Sequence, residues 1–425
     1  MNAYFYIVCI IVLAATFSYI NQRFIKLPFV IGLFVLSVVM SLIVLLTKPF
    51  NPAPYEELQR LVQETKPGPF ILNVFLGPLL FAGSLHTSWG SLRKNLKRIS
   101  TLALGGVLIC TAIIGGLFHF ASGALGPEVP WIYCFIFGAL ASPTDPIAVL
   151  GIMKKAGVPR KIESTIVGES LFNDGIGVVL FIALTEMVAP GNSGNFEIMQ
   201  FLRLFLQEAV GGTVYGMLLG YLLHWLVRST EHYETEMLLT IAFVLGGYYF
   251  ASFLHISGPL AMVVMGLMMG NFRREVTMSD ESEKYVSKFW ELLDVILNAV
   301  LFILIALLLV VVDLTMASVL LGLFSIVFVL FSRVFVVYVT RFFFPKLLNF
   351  TAGESLVIVW GGLRGGLSLA LVLLLEEGPY RNTLLVAAYC VVVFSIIVQG
   401  LTIGSLSKKL LGGPTPGVLV PDHSH

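Results

Sequence analysis

The sequence has 425 residues, of which 57% are hydrophobic and 12% charged, and its formal net charge is +1. A soluble globular chain carries roughly twice that charged fraction, and so even a charge balance gives no electrostatic basis for binding nucleic acid. The apolar residues fall in continuous blocks of roughly 20, the length of a helix across the ~30 Å hydrocarbon core of a bilayer, which excludes the alternating pattern of a membrane barrel.

Thirteen such blocks are expected as spans, at about 3–22, 27–46, 69–87, 99–121, 131–152, 163–189, 200–227, 237–255, 258–270, 289–311, 315–343, 354–376 and 383–405. Block 1 has no basic residue ahead of it and reads as a retained span, not a cleaved signal peptide; block 9 is the shortest. The predicted fold is an all-α polytopic membrane protein of about 13 transmembrane helices. Lys and Arg concentrate in the segments after odd-numbered blocks, for example Arg93, Lys94, Lys97 and Arg98, or Lys154, Lys155, Arg160 and Lys161. Those after even-numbered blocks hold only Lys48, Arg60, Lys66 and Arg381. The positive-inside rule then puts the N-terminus outside and the C-terminus in the cytoplasm. The loops are short, the longest being the Pro- and Glu-rich stretch 47–68, and the tail 411–425 is Gly/Pro-rich and expected to be disordered. The function is therefore expected inside the membrane. Cys9, Cys110, Cys134 and Cys390 all lie in apolar blocks without metal spacing and are expected as inert thiols.

A charge at the bilayer centre costs about 2.5–3.5 kcal/mol on insertion scales, so embedded polar residues are informative. Block 5 carries Ser142-Pro143-Thr144-Asp145-Pro146. Two prolines remove two backbone donors, so the helix should break there, and a break at membrane depth is tolerated only around a protein-enclosed cavity. Asp145 sits in that break. Block 6 carries Gly168-Glu169-Ser170-Leu171-Phe172-Asn173-Asp174-Gly175. Ser170 and Asp174 share one face as i,i+4 neighbours, and Glu169 and Asn173 share a second, about 100° away. Their oxygens suit a hard cation. Block 12 carries Gly361-Gly362-Leu363-Arg364-Gly365-Gly366, where glycines allow irregular backbone and close helix approach. Arg364 needs an acidic partner at its depth, and Glu169 is the expected one. Asp294 with Asn298, and Arg333, are expected to brace helices; His119, Glu186, Glu208 and Asp313 lie near block ends.

Blocks 5 and 12 run in opposite directions, and paired interrupted helices in antiparallel halves mark an inverted-repeat transporter. Blocks 4–6 and 11–13 are the expected equivalent units, with blocks 5 and 12 crossing at their breaks.

Taken together and in this order, SPTDP at 142–146, GESLFNDG at 168–175 and GLRGG at 362–366 resemble the monovalent cation/proton antiporters of the NhaP and NHE type. The resemblance implies that Asp174 is the carboxylate shared by cation and proton. It implies that Asp145, Ser170 and the Thr144 main chain complete the shell of a monovalent cation (Na⁺ foremost, with Li⁺ and K⁺ open), and that Asn173 braces the block 5 break made by Pro143 and Pro146. Glu169 would pair with Arg364. Residues 99–189 and 312–410 would form the moving core, and 1–98 and 190–311 the scaffold of a homodimer in a bacterial plasma membrane, with no cofactor. Relatives with an acidic residue where Asn173 stands are electrogenic, so Asn173 implies one-for-one, electroneutral exchange. This sequence departs from many relatives at Ala82, where they carry an acidic residue, and lacks the long regulatory tail of the animal members. Two rivals stay open. A channel would need several weak sites along a pore; an intramembrane enzyme would need a catalytic signature, and neither HExxH nor GxSxG occurs.

Overall fold

Prolines mark where several apolar blocks begin as helix. Pro28, Pro130 and Pro159, each in extended backbone, stand directly before the helices Phe29–Thr47, Trp131–Ala141 and Arg160–Glu186, as expected of a residue that has no N–H to give to a preceding turn. The computed structural model describes residues 3–65, 68, 71–126, 128–145, 147–188, 198–230, 232–272 and 280–411, and among them every regular element is helical. Pro146, Lys66, Arg273, Arg274 and the tail 412–425 lie outside the described residues.

Among the described residues nine helices are long and apolar enough to cross a membrane: Ile7–Ile25, Phe29–Thr47, Leu92–Leu125, Arg160–Glu186, Ile198–Arg228, Tyr233–Phe253, Ser282–Val310, Met316–Phe343 and Arg381–Leu411. Ile71–Leu85, Trp131–Ala141 and Gly258–Asn271 are shorter apolar helices. Block 5 is split into Trp131–Ala141 and Ile147–Lys155, and block 12 into Ala352–Trp360 and Leu367–Val372. A capping box starts the first half of block 12: the Thr351 hydroxyl accepts from the Glu354 N–H, and the Glu354 carboxylate from the Thr351 N–H.

Two stretches read as loop are helical. Ala53–Thr65 is an amphipathic helix inside the 47–68 connection. The basic run Arg93–Arg98 belongs to the helix Trp89–Ser100, continuous through a π-helical turn at Thr101–Gly105 with Gly106–Leu125. Lys and Arg are good helix formers whose stems lie along apolar surface while their heads reach polar partners. Arg98 does this, donating to Leu347 O (2.6 Å) and Asn95 Oδ1 (2.8 Å).

Packing relies on small residues where helices cross. Gly212, Gly216 and Gly220 line one face of Ile198–Arg228, and a Cβ at Gly216 would stand 2.6 Å from Ala261 O of the Gly258–Phe272 helix. Hydrophobic force between helices is absent in lipid, so such close backbone approach supplies the attraction. The Asp280–Leu307 helix packs by larger side chains: Trp290 meets Phe81 at 4.7 Å between ring centroids, Phe302 meets Phe34 at 6.2 Å, and Ser41 Oγ donates to Ala306 O (3.1 Å). Large apolar side chains such as Leu218, Trp225 and Phe253 stand exposed on the outer surface, as lipid-facing positions should.

Candidate cation-binding site

The site is assembled by the two broken helices. In a continuous helix the carbonyls of residues 139 and 142 would accept from the N–H groups of residues 143 and 146, but both of those are proline. Those carbonyls and their neighbours must find other donors, and the structure supplies them. Ser142 Oγ donates to Ala139 O (3.3 Å), Ser368 Oγ to Leu140 O (2.6 Å), and Arg364 Nη1 to both Ser142 O and Pro143 O (2.7 Å to the latter). The breaks also bond to each other directly, Asp145 N–H donating to Leu363 O (2.7 Å). Gly365 and Gly366 permit this contact. A Cβ on Gly365 would overlap Asp145 Oδ2, and one on Gly366 would overlap Ile305 of the Asp280–Leu307 helix.

The block 12 break is held from its far side. Arg364 N–H donates to Ser395 Oγ (2.7 Å), Ser395 Oγ to Gln399 Oε1 (2.7 Å), and Gln399 Nε2 to Trp360 O (3.2 Å). Ser395 and Gln399 are i,i+4 neighbours on a π-helical turn, a type of distortion frequent at functional sites.

Arg160–Glu186 runs beside these breaks and carries the oxygen-bearing side chains. Thr144 Oγ1 lies 3.0 Å from Ser170 Oγ and accepts from Asn173 Nδ2 (2.8 Å). Asn173 thus ties block 6 to the block 5 break. Thr144, Ser170 and Asn173 are buried; Asp145 and Asp174 are half-buried. The Asp174 carboxylate has no hydrogen-bond donor among the described residues, while Asp145 and Arg364 both lie within its electrostatic range. Two carboxylates, two hydroxyls and the unpartnered Asn173 Oδ1 therefore converge where two helices are interrupted. Oxygens of this kind bind hard monovalent cations, and carboxylates also accept protons.

Glu169 does not pair with Arg364. Arg333 of Met316–Phe343 takes both its carboxylate oxygens, Nη1 to Oε1 and Nη2 to Oε2 (2.9 Å for the latter), with both residues buried. The physical reason is the broken helix: the carbonyls it orphans draw Arg364 to block 5, and the other embedded arginine then meets Glu169. The sequence holds a signal for this: Arg333 stands deep inside a 28-residue helix whose other charge, Arg341, lies in its last turn. Ser368, four residues past Arg364 at the start of the second half-helix, and the Ser395–Gln399 pair are further site residues that sequence reasoning missed. Ala82 is buried on the Gly77–Leu85 helix and offers no side-chain oxygen there.

The sodium/hydrogen exchanger transmembrane family matches residues 11–409. The chain is 43% identical over 408 residues to a Na⁺/H⁺ antiporter, NhaP, of Pseudomonas aeruginosa, covering 95% of this chain and 96% of that one. It is 34% identical over 342 residues to a Na⁺/H⁺ antiporter, NhaH, of Halobacillus dabanensis, covering 80% and 83%. The fold matches that of the sodium proton antiporter MjNhaP1 from Methanocaldococcus jannaschii with a TM-score of 0.75 at 21% identity, covering 96% of this chain and 98% of that one.

Proposed function

The chain belongs to the sodium/hydrogen exchanger family, and from that premise and the geometry of its two breaks we propose that it exchanges Na⁺ for H⁺ across the membrane, one for one, by competition at Asp174. The observation that carries the reading is the Asp174 carboxylate, half-buried and without a hydrogen-bond donor among the described residues, one helical turn from Ser170 of the Thr144–Ser170 hydroxyl pair and within electrostatic range of Asp145.

A bare carboxylate is costly in a low-dielectric site, so it holds either a proton or a cation. Cation-loaded, Asp174 carries one negative charge balanced by one positive ion; for the return it carries one proton. The net charge of the site is the same both ways, so membrane potential does no work on the cycle. Asn173 supports this count, since the amide beside Asp174 adds no titratable group and serves to hold Thr144 in place. Arg364 keeps the broken backbone satisfied, and Glu169 with Arg333 locks block 6 to block 11 as one unit.

The wider architecture follows from the same reading. Thirteen spans, with blocks 4–6 and 11–13 as an inverted repeat, fit a helix or helix pair in every apolar block and the meeting of the two broken helices. Residues 99–189 and 312–410 move as the core against 1–98 and 190–311, which also form the homodimer contact. The N-terminus is outside and the C-terminus cytoplasmic, following the distribution of Lys and Arg. The test is Na⁺-, Li⁺- or K⁺-driven proton flux in proteoliposomes, each cation offered separately. Wild type exchanges Na⁺, and Asp174→Asn, which keeps size and hydrogen bonding, exchanges none. Ordinary exchange rates in that variant would overturn the assignment, and conductance far above carrier rates would favour a channel.

A further inference from the structure

The Asp280–Leu307 helix carries a polar pair that the exchange site leaves unexplained. Asp294, Asn298, Leu301 and Ile305 are spaced by four, three and four residues, so they share one face of that helix. The far end of the face meets the block 12 break: a Cβ on Gly366 would overlap Ile305 and lie 3.1 Å from Leu301 Cγ. Gly365, next in the chain, abuts Asp145. At ~1.5 Å rise per residue, Asn298 lies about 5 Å and Asp294 about 10 Å along the face from the Leu301 contact. The opposite side of the helix, with Leu292, Val295 and Ile296, is exposed. Asp294 thus shares the inner face that meets the breaks, and it interacts electrostatically with Asp145.

Asn298 adds an independent observation. Its Nδ2 donates to Asp294 O (2.9 Å) and Asp294 Oδ1 (3.0 Å), two acceptors that fix which end of the amide is nitrogen. Its Oδ1 is therefore an acceptor, and it has no partner among the described residues although Asn298 is only 2% exposed. A buried unpartnered carbonyl oxygen costs free energy unless something donates to it or is coordinated by it. Beside a half-buried carboxylate, the chemistry that satisfies both is a cation.

We infer that Asp294 and Asn298 form a second cation subsite, a staging point on the Asp280–Leu307 helix from which a monovalent cation passes to Asp145 and Asp174. The inference rests on the exchange reading given above. In the proposed orientation Asp294 lies on the cytoplasmic side, six residues past Lys288. Staging needs a charge that concentrates cations without binding them for long, and a half-buried, singly hydrogen-bonded carboxylate supplies it.

The experiment is cation-dependent proton flux in proteoliposomes at several ionic strengths, with the cytoplasmic face presented to varied Na⁺. Asp294→Asn keeps the size and the bond to Asn298 and removes the charge. It raises the KM for Na⁺ by at least about threefold, more at low ionic strength, while the maximal rate stays within about twofold of wild type. Asp294→Glu restores the KM. Glu291→Gln, one turn earlier on the same helix, exposed and bonded to Lys288, leaves it unmoved and so controls for general surface charge. A KM unchanged in Asp294→Asn, with or without a loss of thermal stability, shows a bracing role only and overturns the subsite. Wild type without exchange of any cation would instead overturn the exchange reading itself.

Discussion

Removing the Glu169 carboxylate while keeping its shape, as Glu169→Gln, strands a buried guanidinium. Arg333 is 4% exposed and Glu169 1%. Apart from its two bonds to Glu169, Arg333 donates only to Ile358 O at 3.5 Å, and its Nε has no partner among the described residues. Breaking such a pair from one side costs about 3–5 kcal/mol, because the remaining charge stays desolvated. The double variant Glu169→Gln/Arg333→Gln leaves no stranded charge, so its loss falls short of the summed single losses by about 2–3 kcal/mol. The assay is reversible unfolding in mixed detergent–lipid micelles, read as a double-mutant cycle. A parallel cycle with Arg364 in place of Arg333 gives a smaller coupling, since Arg364 donates to Ser142 O and Pro143 O and not to Glu169. Additive losses for Glu169 and Arg333, or a larger coupling to Arg364, would refute the pairing.

Other outcomes follow from the same contacts. Arg364→Met leaves two buried carbonyls of the break without donors, at about 1–3 kcal/mol each, and abolishes flux; Arg364→Lys restores part of both, because one nitrogen makes both bonds. Ser368→Ala strands Leu140 O and lowers the unfolding free energy by about 1–3 kcal/mol in the same micelle assay. Gly365→Ala forces a methyl into Asp145, so binding of Na⁺ measured by calorimetry is lost while the protein still folds. Clamping a potential across proteoliposomes at fixed pH and Na⁺ gradients leaves both the rate and the reversal point of exchange unchanged; a shift of either with voltage contradicts one-for-one exchange.

The helical plan was legible because lipid imposes it. Long apolar blocks have no other way to satisfy their backbone, and double prolines at 143 and 146 announce a break by chemistry alone. The face of block 6 that carries Ser170 and Asp174 was equally legible from i,i+4 spacing. Partner choice was not. Glu169 had two embedded arginines available, and which one it meets depends on the orphaned carbonyls of block 5 capturing Arg364, a three-body outcome invisible to pairwise depth matching. Ser368 escaped notice because a serine in an apolar stretch is ordinary until the carbonyl it serves is known. The helices at Ala53–Thr65 and Trp89–Ser100 are not legible as spans because both are polar: the first is amphipathic and the second carries Arg93, Lys94, Lys97 and Arg98, whose long stems follow a helix out of the membrane.

The proposed exchange requires that one carboxylate, Asp174, hold a proton or a cation but not both. Calorimetric Na⁺ titration of the purified protein in buffers of different ionisation enthalpy counts the protons released on binding. Competition at Asp174 gives about one proton released per Na⁺ bound by wild type at a pH where the site is protonated, an apparent Na⁺ affinity that weakens as pH falls, and neither effect in Asp174→Asn. Na⁺ binding to wild type with no proton release at any pH would contradict it.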